Sequence, residues 1–361
     1  MRNDEYTRSH SFEINRLTIQ PFPVTHMRRK IFHTILLALI ILLTACSSLD
    51  GVLPSPSSDP TITMEPSQSS AIELPTATQE QSLPVIMITA EEGQINADFL
   101  DRLSLLLADQ GFNIAFKSSL NIDGLPNDLH YLLAAESNVS VDDQISSPML
   151  SFSFSLDQDQ NIPVLRYSEM YYQRAAFLAG YSAAIATPNF RIGYIDLLDF
   201  ELSGSFDSFE NGVTYYCGHC SPQYPPFLDY PVYFQLSTPF TSEKINSIIT
   251  ALEQNYVTTV YVHPYIYNNE LLQSLEDSGI DVIGNRLLGR INSPVVDFEV
   301  GPDPSATADE LVPYIIAGTE PDPVSPPLAV HNNSGWFSEG RMQHLEQIIT
   351  MLNEGTILPI E

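Results

Sequence analysis

The sequence is poor in basic residues, with 15 lysines and arginines against 44 aspartates and glutamates in 361 residues. Its formal net charge of −29 repels the phosphates of nucleic acid and the anionic surfaces of membranes, so neither is an expected partner. Three cysteines leave little scope for a framework of disulfides. The sequence contains no P-loop, no Gly-x-Ser-x-Gly and no His-Glu-x-x-His motif. We expect a protein that is not an enzyme and that uses no cofactor or metal.

The N-terminal segment carries the features of an export signal. Arg28-Arg29-Lys30 precede an apolar run at 31–45, which is short for a membrane span. The run ends at Cys46, and the small residues before this cysteine resemble a bacterial lipobox. That resemblance implies cleavage at Cys46 and lipidation of its sulfur, which would anchor the chain to the outside of the bacterial cell membrane. The alternative is a plain transmembrane anchor that ends by chance in cysteine.

The rest of the chain divides into a linker and a region of alternating strands and helices. Residues 47–83 are rich in proline, serine and threonine, so we predict a disordered linker. The predicted strands are 85–90, 112–116, 129–135, 149–154, 163–167, 191–196, 232–236, 258–262, 280–283, 294–300 and 328–331. The predicted helices are 96–109, 169–187, 206–216, 242–254, 269–278, 307–317 and 340–353. This alternation predicts parallel sheets covered by helices on both faces, and its length suits two lobes.

The stretch 169–197 organises this region. Small residues recur at helical spacing in its first half, which predicts a helix that approaches a sheet closely. Gly180 costs helix stability, so we predict that close packing requires it. Thr187-Pro188-Asn189 ends the helix, because proline disfavours the α conformation in the preceding residue, and a strand follows.

This stretch and the segment Phe206 to Gly212 resemble the middle of the basic membrane protein (PnrA-like) family, the solute-binding lipoproteins of ABC transporters. Val282-Ile283-Gly284-Asn285 and the ending Gly355 to Pro359 are similar to that family as well. The resemblance implies an α/β chain with the type I periplasmic-binding-protein fold: two Rossmann-like lobes with parallel sheets and a three-segment hinge. It also implies a small, nucleoside-like ligand in the cleft between the lobes and an ABC permease as partner. We expect a monomer.

The resemblance also suggests domain boundaries. Residues 1–46 form the N-terminal extension and lipoprotein signal peptide, 47–83 the linker, and 84–361 the solute-binding domain. Lobe 1 is predicted at about 84–187 and 292–323, and lobe 2 at about 190–285 and 326–361. The chain would pass between the lobes near 187–190, 285–294 and 321–327.

The first-lobe ligand contacts follow from the loop after the first strand. In the family this loop reads Asp-x-Ser-Phe-Asn and supplies a stacking ring and a polar contact. The corresponding segment here is 90–99, which keeps the residue types but not the motif. By this resemblance we predict Asn96 and Phe99 as ligand contacts. Glu91, which directly follows the first strand on the cleft side, is a further candidate for a polar or cationic ligand, and a solvated turn is the alternative.

The second-lobe contacts are predicted after two later strands. Tyr265 and Tyr267 follow the strand at 258–262 and would stack on the ligand, or equally form a rim with no ligand. Asn285, or its neighbour Arg286, takes the place of the family's aspartate, and the family's lysine has no counterpart near 298–301. His263 and His331 also follow strands, although single histidines are more often structural.

Cys217-Gly218-His219-Cys220 is the segment that most resembles an enzyme motif. The same four residues form the dithiol of disulfide isomerases, which suggests a thiol–disulfide oxidoreductase as the alternative function. The prolines that follow favour a loop closed by a local disulfide. A metal site would need further ligands. A third reading is a degenerate binding domain used for sensing.

Overall fold

Strands and helices alternate throughout the part of the chain that the computed structural model describes. This part comprises residues 83–91, 93–119, 125–135, 147–152, 163–198, 204–266, 268–288, 295–333 and 335–360. The predicted signal peptide, Cys46 and the linker up to residue 82 lie outside it. No helix within the described ranges is both long enough and apolar enough to cross a membrane.

The first sheet contains four parallel strands in the order β2-β1-β3-β4. Its strands are β1 (Val85–Thr89), β2 (Asn113–Lys117), β3 (Leu129–Ala134) and β4 (Met149–Ser151). Helix α1 (Ala97–Asp109) connects β1 to β2 and buries Phe99, Leu103 and Leu107, one stripe of an amphipathic helix. Single bridges from Ser151 to Val164 and from Tyr167 to Val324 extend the sheet beyond β4.

The second sheet contains six strands in the order β10-β9-β8-β7-β5-β6. Its strands are β5 (Ile192–Leu197), β6 (Val232–Leu236), β7 (Thr259–Val262), β8 (Asp281–Asn285), β9 (Phe298–Pro302) and β10 (Leu328–Asn332). All neighbours pair in parallel except β10, which is antiparallel to β9. Within each sheet the second strand in sequence lies outside the first, which is the doubly wound order of flavodoxin-like folds.

The remaining helices cover these sheets. They are α2 (Glu169–Ala186), α3 (Ser205–Cys217), α4 (Ser242–Gln254), α5 (Asn269–Asp277), α6 (Pro304–Ala317) and α7 (Glu339–Asn353). Helix α2 is buried on nearly all sides and packs chiefly on α3. A Cβ atom at Gly180 would overlap the backbone carbonyl of Phe209, and one at Gly212 would overlap that of Phe177. Gly180 therefore does have a packing role, but its partner is a helix rather than a sheet.

The chain passes between the two lobes three times. Tyr167 bridges to Val324 in the first lobe, whereas α2 packs with α3 and with strands of the second sheet, so the first passage is at Ser168. Strand β9 belongs to the second sheet and α6 packs on α1 of the first lobe, so the second passage is at Asp303. The third lies between Val324 and β10.

The structure confirms the predicted fold class: an α/β chain with two Rossmann-like lobes and the type I periplasmic-binding-protein arrangement. Two of the predicted passages require correction. Residues 169–187 belong with the second lobe because α2 packs closely against α3, and 298–302 do so because β9 pairs with β8. The third passage lies inside the predicted range 321–327.

Candidate functional site

A cavity of about 530 Å³ opens between the two lobes, and we call it the interlobe cavity. The first lobe contributes the loop after β1 and the start of α1. The second lobe contributes the segment after β8, part of β9 and β10, and the passage into α6. The lining residues are Gly93, Ile95, Asn96, Ala97, Asp98, Arg286, Leu287, Leu288, Glu299, Gly301, Pro302, Pro304, Ala329, Val330 and His331. The cavity therefore lies where parallel strands of both lobes end, the usual place for a ligand in doubly wound folds.

The floor of the cavity is one face of the β9–β10 pair. Glu299 and Gly301 lie two residues apart on β9 and therefore share a face. Their antiparallel partners on β10 are His331 and Ala329, which also line the cavity. Phe298, the residue before Glu299 on β9, lies on the opposite face and packs edge-on against Phe337 in the core.

Glu299 is the deepest charged group of the floor. The residue is only 3% exposed, and its Oε2 atom has no hydrogen-bond partner among the described residues. Burial raises the pKa of the Glu299 carboxyl, while the Asn333 amide, Arg286 and His331 oppose that rise. A buried carboxylate with an oxygen left unsatisfied is costly to fold, which is a common property of binding sites.

The first-lobe wall is the N-terminus of α1. Asn96 caps this helix by accepting a hydrogen bond from the Phe99 backbone N–H at 3.2 Å. Its own N–H donates to the backbone oxygen of Leu288 at 3.3 Å, so a direct hydrogen bond joins the two lobes beside the cavity. The N–H groups of the first helical turn carry partial positive charge and favour an anionic group.

The second-lobe wall is the segment Arg286–Leu288. The Arg286 N–H donates to the Val300 oxygen at 2.9 Å, which holds this segment against β9. Glycine is required at position 301 because a Cβ there would lie 2.5 Å from the Arg286 carbonyl oxygen. Beside Arg286 this wall is aliphatic, at Leu287 and Leu288, and no phenylalanine, tyrosine or tryptophan belongs to the lining within the described part of the chain.

A second polar region lies at the ends of β5 and β7, and we call it the tyrosine cluster. It consists of Tyr167, Tyr171, Tyr172, Tyr194, Tyr265, His263 and Asp196, all less than 10% exposed. The hydroxyls of Tyr172 and Tyr265 hydrogen-bond to each other. Their ring centroids are 5.6 Å apart, and His263 lies 5.3 Å from Tyr265. Side chains thus fill the space at these strand ends.

Asp196 is the acidic member of the tyrosine cluster. Its carboxylate accepts hydrogen bonds from the Leu197 N–H at 2.8 Å and from the Tyr233 hydroxyl at 3.1 Å. The Nδ1 atom of His263 is 3.7 Å from the Asp196 carboxylate. Burial raises the pKa of Asp196, and its two hydrogen bonds oppose the rise. This carboxylate already has partners within the protein.

The predicted ligand contacts lie in different parts of the structure. Asn96 lines the interlobe cavity, whereas Glu91 is exposed and outside the lining. Phe99 is fully buried and packs edge-on against Phe152, so its predicted contact with a ligand is wrong: the ring belongs to the core of α1. Tyr265 belongs to the tyrosine cluster.

Asn285 and Tyr267 are the two remaining predicted ligand contacts. Asn285 is 3% exposed and is not part of the lining. Its amide lies beside the Tyr171 hydroxyl and opposes the burial-driven rise in that tyrosine's pKa, although the two groups do not reach hydrogen-bonding geometry. Tyr267 lies outside the described residues.

Two charged lining residues, Arg286 and Glu299, are not among the contacts predicted from the sequence. The family resemblance offers Arg286 only as an alternative to Asn285, and it points to a lysine and not to a carboxylate near 298–301. A signal was present, because Glu299 is the single charged residue in the otherwise uncharged run Phe298–Pro302. His331, a weaker candidate, does line the cavity, whereas His263 is buried in the tyrosine cluster.

The cysteine motif lies at the end of α3. Cys217 and Cys220 form a disulfide, with their Cα atoms 5.5 Å apart. Cys217 is the last residue of α3, so the helix presents its C-terminus, which disfavours a thiolate. This position does not favour a thiol–disulfide oxidoreductase. The described residues contain no group of three or more histidine, cysteine, aspartate or glutamate side chains that could hold a metal ion.

Comparisons with known proteins add little to this geometry. No family model matches the chain, and no curated protein matches it either. A transcriptional activator of the comK gene from Bacillus halodurans is similar over 76% of this chain and 99% of its own, with 12% identity and a TM-score of 0.45.

Two transport proteins are similar at a comparable level. An ABC-transporter solute-binding protein from Mycobacterium smegmatis, solved with bound glycerol, has 10% identity over 71% of this chain and 96% of its own, with a TM-score of 0.36. A sugar transporter from Clostridium phytofermentans has 9% identity over 70% and 98%, with a TM-score of 0.37. Likenesses of this strength identify neither a family nor a ligand, so the functional argument rests on the site.

Proposed function

We propose that this chain is an extracytoplasmic solute-binding protein that holds a small ligand in the interlobe cavity. The observation that carries the proposal is the cavity's lining, to which both lobes contribute backbone and side-chain groups around the buried carboxylate of Glu299. A ligand that touches both lobes stabilises the closed arrangement over an open one and so shifts the population towards it.

The three passages between the lobes provide the hinge for this closure. At the third passage, the guanidinium of Arg174 donates to the backbone oxygens of Ser325 and Pro326, both at 3.1 Å. The Ser325 N–H donates to the Glu310 carboxylate of α6 at 2.9 Å. These bonds tie α2 of the second lobe and α6 of the first lobe to the same short segment, so a hinge motion would have a fixed pivot there.

The sequence supports the transport context of the proposal. The lipobox-like segment at Cys46 supports lipid anchoring outside the bacterial cell membrane, and the resemblance to PnrA-like proteins supports an ABC permease as partner. A permease that recognises the closed arrangement would then take up the ligand.

The proposal is tested by a ligand screen on the full chain purified in detergent. Nucleosides, sugars and amino acids are added singly, and the melting temperature is recorded. We expect one class to raise it, because a ligand that binds only the folded state stabilises that state. Isothermal titration then measures the affinity for wild type, for Glu299→Gln and for Glu253→Gln, a matched control on the exposed surface of α4. No stabilisation by any class, or equal affinity in all three proteins, contradicts the proposal.

A further inference from the structure

We infer that the ligand of the interlobe cavity is a small zwitterion with an aliphatic side chain, namely an aliphatic α-amino acid or a short peptide of such residues. This inference rests on the proposed function and names the chemical class of its ligand. Four features of the cavity carry it: two separated charges, a buried carboxylate, a helix N-terminus and an aliphatic lining.

The cavity holds opposite charges that do not neutralise each other directly. Arg286 and Glu299 both line it, yet no ion pair within 4.0 Å joins these two described residues. Asp98 adds a second carboxylate at the exposed start of α1. Among the described lining residues, two carboxylates against one guanidinium disfavour a ligand that carries only negative charge. They favour a ligand that brings both an ammonium and a carboxylate.

The ammonium is assigned to Glu299. Its Oε2 atom has no hydrogen-bond partner among the described residues, and the side chain is nine-tenths or more buried. An ammonium group has three donors and would satisfy this oxygen with a charge-assisted hydrogen bond. Burial raises the pKa of Glu299, and a ligand's positive charge would favour the ionised form.

The carboxylate is assigned to the two walls of the cavity, Arg286 and the N-terminus of α1. The guanidinium of Arg286 presents a planar set of donors that matches a carboxylate. The N-terminus of α1, at Ala97 and Asp98, faces the same cavity and adds backbone N–H groups with partial positive charge. The carboxylate end of a zwitterion would therefore contact both lobes, with Arg286 in the second lobe and the α1 N-terminus in the first, which couples binding to closure.

The apolar part of the ligand is assigned from the remaining lining. Ile95, Leu287, Leu288, Pro302 and Val330 offer aliphatic surface. No phenylalanine, tyrosine or tryptophan ring lines the described cavity, and His331 is the one lining residue there with an aromatic ring, so a nucleobase would lack a large ring to stack on. The volume of about 530 Å³ lies within the range of small-molecule sites, and it leaves room for one or two residues.

The test measures the affinity of the full chain for six compounds by isothermal titration. They are L-leucine, L-leucyl-L-leucine, leucinamide, 4-methylpentanoate, inosine and ribose. We expect leucine or the dipeptide to bind best. Leucinamide lacks the carboxylate and 4-methylpentanoate lacks the ammonium, so each should bind about 10- to 100-fold more weakly than leucine, the value of one charge-assisted contact.

Two variants locate the contacts. Arg286→Gln should weaken the binding of leucine about 10- to 100-fold. It should leave the affinity for leucinamide within about twofold of the wild-type value, because that compound has no carboxylate to lose. Glu299→Gln should weaken the binding of leucine to a similar extent and leave the affinity for 4-methylpentanoate unchanged, because that compound has no ammonium to lose. The matched controls Arg341→Gln and Glu253→Gln change exposed residues of α7 and α4. Circular dichroism checks that each variant folds.

The outcomes separate the two proposals. Binding of inosine or ribose without binding of leucine or its dipeptide overturns the inference about ligand class but leaves the solute-binding function standing. Equal affinity for leucine and its two truncated analogues also overturns it. If none of the wider set of nucleosides, sugars and amino acids binds, both proposals fail.

Discussion

The interlobe cavity and the tyrosine cluster occupy comparable places at strand ends of the second sheet, yet they differ in what fills them. In the cluster, rings and a histidine pack within 4.6–6.4 Å of one another, and Asp196 accepts hydrogen bonds from the protein itself. In the cavity, space remains open and Glu299 keeps an oxygen without a partner among the described residues. Position at a strand end therefore does not identify a binding residue; open space beside an unsatisfied polar group does.

The largest expected effect is on the tyrosine cluster. Replacing Tyr265 by alanine removes a buried ring and leaves the Tyr172 hydroxyl without its partner. We expect the free energy of unfolding to fall by about 3–5 kcal/mol, the usual cost of deleting a buried aromatic side chain. Urea denaturation measures it.

The conservative variant sharpens this test. Tyr265→Phe keeps the ring and should cost only about 1–3 kcal/mol, for the unsatisfied hydroxyl of Tyr172. Ligand affinity, measured where both variants are folded, should stay near that of the wild type. Loss of affinity without loss of stability would place Tyr265 in the binding site and break the contrast between the two regions.

The next effect concerns the wall of the cavity. A Cβ at position 301 would press on the Arg286 carbonyl, which is backbone and cannot rotate away. We expect Gly301→Ala to reduce the free energy of unfolding by about 1–3 kcal/mol, as overpacking does, and to weaken ligand binding because Arg286 moves. Gly340→Ala is the matched control, since nothing lies within 4 Å of a Cβ there. Similar results for both variants would mean that the 286–288 segment is free to shift.

Much of the fold could be predicted from the sequence because local signals agreed with it. Asn96 before an apolar stripe correctly predicts the start of α1, and Thr187-Pro188 correctly predicts the end of α2. The lobe to which α2 belongs could not be read in the same way. Its small residues require a close neighbour, but spacing along one helix does not say whether that neighbour is a sheet or the α3 helix.

The site was predicted less well, for a physical reason. Phe99 and Tyr265 are residue types that stack on ligands, but the same rings also fill cores, and burial decides between the two uses. The sequence does not show burial at loop and helix starts. Glu299 carried a better signal, because a carboxylate inside an apolar strand must find a partner or a ligand.

A smaller effect is expected at the disulfide, which lies outside both regions. Replacing Cys217 and Cys220 together by serine opens a loop with a sequence separation of three. Loop entropy then predicts a loss of about 2 kcal/mol or less, because short loops gain least from a cross-link. Urea denaturation measures the loss, and titration of the ligand should show no change. A change in affinity would show that the loop after α3 communicates with the cavity.

The smallest expected effect is a pH dependence that distinguishes the two buried carboxylates. Burial raises the folded-state pKa of both Glu299 and Asp196. A raised pKa means that the folded state binds the proton more tightly than the unfolded state does. The stability that this proton contributes is present below the ordinary pKa of the carboxyl and is lost as pH rises through the folded-state pKa. We expect Glu299→Gln and Asp196→Asn each to gain stability relative to wild type as pH rises above the ordinary pKa of the carboxyl they replace, 4.5 for Glu299 and 3.8 for Asp196.

Saturating ligand should act on only one of these differences. An ammonium beside Glu299 favours its ionised form, so the relative gain of Glu299→Gln should shrink or reverse when ligand is present. Asp196 lies in the tyrosine cluster, so the gain in stability of Asp196→Asn over wild type should be the same with and without ligand. Because Glu299→Gln binds the ligand more weakly, its ligand concentration is raised until binding is saturated. Urea denaturation at several pH values measures both. If ligand alters the Asp196→Asn difference to the same extent, the cavity and the cluster form one site, because a carboxylate that responds to ligand must lie in its electrostatic reach.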